Sequence, residues 1–419
     1  MSSILNIDYD KNYILTPICI NCKRNECVEH SINTYHQKKH IKESAKEIIE
    51  LFHNTNESIL LAQMQSGKSD VIKRIIELFN NNKQYFADSL KIENIFIIIL
   101  ASDTGLKQNS QSEFYNFISY DHILHLDDVS LITEYLINPK KKFKIFSNLK
   151  QIVSAIKTNC LIIIDEAHSD QEVTSTIDNF RRALNIEFNN FTNNTIKMLN
   201  VSATAYEHIL TTMPKVILKP TSEYYGLRKM LENNKVFQSF DLTVSTEYTQ
   251  FIDDLLDKLK LSILPKQYII VRVQSDAKEQ LLRQHIKLYQ KTKDYNIESY
   301  NMSTKNDIND ILKIKPNKTT FIIIKGRLTK GHRIIKENIM AVSDTPNNGH
   351  THTTVQGLIG RMCGYNANKN ALIYCDIEKV IEHYEWIKSN YNEKNIPLAK
   401  YITKSGEIKK SSIFGKVND

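Results

Sequence analysis

Eight short stretches of this chain are apolar almost without interruption, and that pattern restricts the fold more than any other feature. Four come early: "SILLA" (58–62), "NIFIIILA" (94–101), "CLIIID" (160–165) and "MLNVSA" (198–203). Four come late: "QYIIVRV" (267–273), "TFIIIK" (320–325), "NIMAVSD" (338–344) and "ALIYCD" (371–376). A strand with one wet face places a polar residue at every second position. A continuous apolar run needs cover on both faces, which is the situation of a parallel strand between two layers of helix. Helical patterns separate the runs. Val71, Ile72, Ile75, Ile76 and Phe79 fall on one helical face, and "AKEQLLRQHIKLYQ" and "IEKVIEHYEWIKSNYNE" read the same way. Alternation of strand and helix implies a doubly wound α/β layer. The two series, divided near "LKPTSEYYGLRKMLENN", imply two α/β domains in tandem. The expected boundaries are 1–34 for an N-terminal Cys-rich segment, 35–232 and 233–385 for the domains, and 386–419 for a helix end and a polar tail.

At 419 residues, with 41% hydrophobic and 24% charged content, the chain is long enough and ordinary enough for such domains. The longest apolar run, Ile95 to Ala101, is too short to span a bilayer. The opening "MSSILNIDYDKNY" lacks a basic start followed by an apolar stretch, so the expected location is cytoplasmic, without secretion or a membrane partner. Frequent Ile, Asn and Lys suit an AT-rich genome such as a virus or phage, for which the host cytoplasm or viral factory would be the compartment. A net charge of +8 tolerates a polyanionic partner without demanding one.

"QMQSGKSD" (63–70) stands between an expected strand and an expected helix. Unpaired N–H groups and the positive end of the helix dipole make that junction a phosphate site. Gln65, Ser66, Gly67, Lys68, Ser69 and Asp70 are its candidate residues, with Lys68 for the β and γ phosphates and Ser69 for Mg²⁺. A chance Gly-Lys-Ser is the alternative, and Ala62 stands where the pattern usually begins with Gly. "LIIIDEAHSD" supplies the second part. Asp165 ends an apolar run, at the strand edge where α/β sites form. Asp165 suits Mg²⁺ and Glu166 suits orientation of an attacking water, the other reading being a solvated turn.

These motifs, in this order, resemble those of superfamily 2 helicases of the DEAD/DEAH-box type, over most of residues 35–376. "GKS" resembles motif I, "DEAH" motif II, "SAT" (202–204) motif III, "KGRLTKGHRI" motif V and "VQGLIGRMCGY" motif VI. The resemblance implies two RecA-like (P-loop NTPase) domains that close on ATP and Mg²⁺ and step along nucleic acid, DNA ahead of RNA. It implies coupling roles for His168, Ser202 and Thr204, nucleotide contacts for Gln37, Gln356 and Gly331, and an arginine finger at Arg361. Two departures from the motif VI pattern stand out. One extra residue separates Gln356 from Gly360, and Gly364 occupies the place of a second arginine, for which Arg327, Lys330 or Arg333 are substitutes. "QSGKS", "GRMCGY" and "KPTSEYYGL" also resemble a subgroup found in phages and beside restriction-like endonucleases, which implies a separate nuclease or a replication or transcription partner. A motor subunit gating that nuclease, and a nucleotide-regulated adaptor without turnover, are the alternatives to an acting helicase or translocase.

Six cysteines form no disulfide framework, but Cys19, Cys22, Cys27 and His30 have spacing that suits a closed structural zinc site. His36 or His40 could take the place of His30. Thr104, Lys107, Gln108 and Asn109 are candidates for sugar-phosphate contact.

Overall fold

Burial on both faces is what the apolar runs achieve. The structure, a computed structural model, describes residues 28–100, 114, 117–138, 149–165, 171–187, 190–191, 195–204, 213–304, 306–328, 333–344, 351–397, 400–402 and 408–410. Contacts divide the chain into two units, Met1–Ser222 and Glu223–Asp419.

In the first unit the sheet strands are β1 (Glu57–Ala62), β2 (Asn94–Ile99), β3 (Ile123–His125), β4 (Cys160–Asp165), β7 (Ile196–Ser202) and β8 (Lys215–Leu218). A short antiparallel pair, β5 (Ile186–Glu187) with β6 (Asn190–Phe191), stands apart from them. The sheet order is β3-β2-β4-β7-β1-β8, and every neighbouring pair is parallel. Successive strand residues point to opposite faces, and both faces are covered. Ile95, Ile97 and Ile99 pack with Ile48, Ile72 and Ile75 from α1 (Val28–Leu51) and α2 (Lys68–Asn81) and with Phe52 just beyond α1. Phe96 and Ile98 pack on the other side with Val129, Ile132 and Phe180, carried by helices Leu126–Ile137 and Gln171–Ala183. Each such aliphatic side chain contributes about 1.5–3 kcal/mol by leaving water.

The second unit repeats the scheme with β9 (Val236–Gln238), β10 (Tyr268–Arg272), β11 (Asn296–Tyr300), β12 (Thr320–Ile324), β13 (Ile339–Ser343) and β14 (Leu372–Cys375). Its order is β11-β12-β10-β13-β14-β9, again all parallel. Ile269, Val271, Phe321, Ile323 and Tyr374 meet Tyr248, Phe251, Ile252 and Leu255 of helix Ser245–Leu259. The α/β class with two parallel sheets is thus observed, matching the tandem RecA-like arrangement expected. No helix among the described residues is long and apolar enough to cross a membrane.

One division falls elsewhere than the expected boundary. Residues 223–232 were assigned to the first domain but fall in the second unit. Tyr225 and Gly364 exchange backbone hydrogen bonds there, of 3.1 and 3.0 Å. The expected tail also carries structure: β15 (Lys400–Ile402) pairs antiparallel with β16 (Ile408–Lys410).

At the start of β1 the Glu57 carboxylate is buried, and Arg181 grips it with both terminal nitrogens at 2.8 and 3.0 Å. Asn200 adds a third hydrogen bond of 3.0 Å to Glu57. Removing one member leaves a buried charge uncompensated. Arg181→Ala is expected to lower the unfolding free energy by about 3–5 kcal/mol in a urea titration; a loss under about 1 kcal/mol would contradict this account of the network.

His383 is fully buried against Trp386 (ring centroids 5.5 Å apart), and burial lowers its pKa to about 3. Below pH about 6.5 the unfolded chain takes up a proton here that the folded chain refuses, so stability falls as pH drops from there toward 3. The slope from this one group approaches about 1.4 kcal/mol per pH unit. Urea midpoints measured from pH 7 to 4.5 should fall less steeply in His383→Gln than in the unaltered chain; parallel slopes would exclude the histidine as a source.

Candidate functional site

Because the strands are parallel, their C-terminal ends leave each sheet at one edge. Register makes three of them level: Leu61 of β1 lies beside Ser202 of β7, and Val201 of β7 lies beside Asp165 of β4. The loop after β1, the turn after β7 and the carboxylate ending β4 therefore emerge side by side.

From β1 the chain enters a tight turn with two left-handed residues, Gln65 (φ 54°) and Gly67 (φ 110°, ψ 23°). Between them Ser66 is fully buried, and both its N–H and its hydroxyl donate to the Gln63 carbonyl, at 3.2 and 2.8 Å. α2 then begins at Lys68, with the Asp70 and Val71 N–H groups returning to the Gly67 carbonyl at 3.0 and 3.1 Å. The positive φ at position 67 calls for glycine, and a Cβ there would also come within 2.9 Å of the Ile41 Cδ1 methyl of α1, which would have to shift. Lys68 and Ser69 are half-buried on the first turn of α2, while Asp70 is exposed and pairs with Lys73 at 3.5 Å. Beyond β7, the buried Ser202 hydroxyl accepts from the Thr204 N–H at 3.0 Å, closing the Ser-Ala-Thr turn on itself. The structure thus brings together Gln65, Ser66, Gly67, Lys68, Ser69, Asp165, Ser202 and Thr204.

In the second unit Arg361 lies on the short helix Leu358–Met362 and is buried, 3% exposed. Its Nη1 donates to the carbonyls of Gln356 and, at 2.8 Å, Gly357. The guanidinium is therefore folded back onto its own turn. Gly364, where a second arginine was expected, has φ 127°, and its backbone is bridged to Tyr225. Tyr224 meets Tyr365 edge-on, with centroids 5.6 Å apart. "EYYGL" and "MCGY" are therefore two halves of one packing arrangement, and the glycine is what the bridge requires. Of the substitutes for the missing arginine, Arg327 stacks over Tyr300 at 5.0 Å and Arg333 is exposed.

Two features escaped the sequence reading. Arg272, ending β10, forms an ion pair with Asp344, just beyond β13, at 3.2 Å. Lys336 is buried, its pKa lowered to about 8 by that burial, and it donates to the Cys363 carbonyl at 2.5 Å. Only topology joins these residues; no local pattern marks them.

Glu166, His168, Lys330, Gly331, Cys19, Cys22, Cys27 and the loop carrying Thr104, Lys107, Gln108 and Asn109 lie outside the described residues. So do the side chains of His30, His36 and Gln37, although all three positions belong to α1. Gln37 stands one helical turn before Ile41, the residue that touches Gly67. Among the described residues no cluster of three or more His, Cys, Asp or Glu could hold a metal, and zinc has no support there.

An arginine at position 364, where the motif VI pattern that this segment resembles carries one, should harm this chain. Gly364→Arg forces a side chain into a left-handed conformation and is expected to cost roughly 1–3 kcal/mol, seen as a lower thermal midpoint. An unchanged or raised midpoint would show that the bridge to Tyr225 does not fix this position.

No family model matches the sequence. The chain is 34% identical over 394 residues to "Uncharacterized protein L594" of Acanthamoeba polyphaga mimivirus, a match that covers 91% of this chain and 96% of that protein. Among solved structures, the Saccharomyces cerevisiae protein Dbp5, in a variant bound to RNA and ADP BeF3, aligns with TM-score 0.46 and 12% identity, over 85% of this chain and 91% of its own. The Escherichia coli DEAH/RHA helicase HrpB aligns with TM-score 0.48 and 11% identity, over 81% of this chain and 43% of its own.

Proposed function

We propose, from the premise that this chain belongs to the family of the mimivirus protein L594, that it is an ATP-hydrolysing motor acting on nucleic acid as a helicase or translocase of the superfamily 2 kind. One observation carries the reading: β1, which leads into the glycine turn opening α2, and β4, which ends at Asp165, flank β7 and finish at the same edge of the sheet.

That arrangement fits a magnesium-bound triphosphate. The left-handed turn at Gly67 delivers a 14-residue helix N-terminus, whose dipole favours an anion. Lys68 begins that helix and would neutralise the β and γ phosphates, with Gln65, Ser66, Gly67 and Asp70 shaping the cradle. The Ser69 hydroxyl and the Asp165 carboxylate form a hard oxygen donor pair suited to Mg²⁺. Magnesium, when bound, offsets charge that builds on the phosphate oxygens during transfer. Glu166 would orient the attacking water, and Arg361 from the second unit would meet the developing charge. For that, its guanidinium must exchange the carbonyls of Gln356 and Gly357 for phosphate oxygens. Gln37, Gln356 and Gly331 complete the nucleotide contacts. His168, Ser202 and Thr204 would transmit the nucleotide state, and the closed Ser202–Thr204 turn beside the phosphate cradle suits that role. DNA is the proposed track, in a host cytoplasm or viral factory, with a separate nuclease or a replication or transcription factor as a partner; a relative encoded by a mimivirus supports a viral setting. A zinc ion held by Cys19, Cys22, Cys27 and His30 would be structural.

Lys68→Ala and Glu166→Gln should each cut nucleic-acid-stimulated ATP hydrolysis by at least about 100-fold while circular dichroism and thermal midpoint stay close to those of the unaltered chain. Undiminished turnover in either variant would refute the assignment of that residue.

A further inference from the structure

We infer that the Arg272–Asp344 ion pair is the positioning device that sets the Arg361 turn, and so governs how Arg361 reaches the reacting phosphate. The inference rests on the proposed role of Arg361.

The Asp344 carboxylate is used on both sides. Its Oδ1 pairs with Arg272 Nε at 3.2 Å, and its Oδ2 accepts the Leu358 N–H at 2.7 Å, at the first residue of the helix that carries Arg361. The residue before that, Gly357, has no room for a side chain: a Cβ there would overlap Asp344 Oδ2. Gly357 in turn offers the carbonyl that Arg361 Nη1 reaches at 2.8 Å. One short path therefore runs from the end of β10 through Asp344 to the backbone that holds the Arg361 guanidinium.

Asp344 is itself anchored, since its N–H donates to the Tyr374 carbonyl of β14 at 2.9 Å. Arg272 has a second hold: its Nη2 donates to the carbonyl of Leu328 at 3.0 Å. Leu328 has φ 52° and leads into the segment that contains Lys330 and Gly331. The same arginine thus ties together the segments resembling motifs V and VI. The other end of the Arg361 helix is held independently, by Lys336 on the Cys363 carbonyl at 2.5 Å and by the Gly364–Tyr225 bridge. A carboxylate at the N-terminus and an ammonium at the C-terminus both suit the direction of the peptide dipoles. At the near end the Asp344 carboxylate makes its connection beside the Gly357 N–H, which donates to the Thr354 carbonyl at 3.0 Å.

A residue that acts by placing another leaves a signature that general destabilisation does not. Asp344→Asn keeps the shape and an acceptor for the Leu358 N–H but loses the charge that holds Arg272. In the unaltered background it should lower kcat by about 10- to 100-fold, the range expected for a small misplacement of a reacting group. The affinity for ATP should change by less than about threefold. Introduced into Arg361→Ala, it should have no further effect on single-turnover hydrolysis of radiolabelled ATP, because the group it positions is gone. Equal fold-losses in both backgrounds, or full kcat in the single variant, overturn the inference while leaving the role of Arg361 intact. Full turnover in Arg361→Ala alone overturns the reading of Arg361, and this inference with it. Should Asp344→Asn fail to fold, Arg272→Gln breaks the same pair from the strand side and must show the same dependence on Arg361.

Discussion

The level, parallel pairing of β4, β7 and β1 is the constraint on which the rest depends. Parallel strands must all end at one edge, and the register decides which ends are neighbours. Here it sets the glycine turn, the Ser-Ala-Thr turn and Asp165 in a row, although the sequence separates them widely. Had β7 slipped by one residue against β1, every side chain of the strand would have changed faces. The alternating split of Ile95, Ile97 and Ile99 from Phe96 and Ile98 shows the penalty for such slippage, since both faces of the sheet are filled. The second unit obeys the same rule. β10 and β13 are adjacent and parallel, and their ends bring Arg272 and Asp344 within reach of each other.

The two edges of the first sheet do different work. At the N-terminal edge, polar groups hold the strands to their surroundings: Glu57 takes Arg181 and Asn200, and Lys197 donates to Asn56 at 2.6 Å and to the Thr55 carbonyl at 3.1 Å. At the C-terminal edge the same sheet presents left-handed backbone at Gln65 and Gly67, half-buried Lys68 and Ser69, and the terminal Asp165. Strained backbone of this kind is tolerated when the surrounding structure over-determines it, and Ile41 packed against Gly67 is part of that surrounding.

The legible part of the fold has a physical boundary. The eight apolar runs became β1, β2, β4, β7, β10, β12, β13 and β14, which are the interior strands of the two sheets. The four strands of these two sheets that went unread, β3, β8, β9 and β11, are the edges. An edge strand has one neighbour and partial exposure, so it needs no continuous apolar run. β11, "NIESY", alternates exposed and half-buried residues until Tyr300, and β3 is three residues long. The site divides in a similar way. The glycine turn was legible because its backbone demands glycine whatever the tertiary context, and Asp165 because it ends a buried run. The clamp of Arg272 on Asp344 was not, because it exists only once β10 and β13 are neighbours. Gly364 was visible as a departure from the motif that its segment resembles, but its reason, the bridge to Tyr225, lies in the fold. Arg361 was legible as a residue, whereas its retreat onto the carbonyls of its own turn was not.

The central claim is that this edge hydrolyses ATP under the control of a nucleic acid. Steady-state phosphate release by the purified chain, with single-stranded DNA, duplex DNA, RNA or no polymer in parallel, tests it most directly. The account predicts turnover raised at least about 10-fold by one of these polymers, with stimulation falling steeply as salt rises, as contact with several phosphates would require. Tight ATP binding with no release above background under all of these conditions would contradict it.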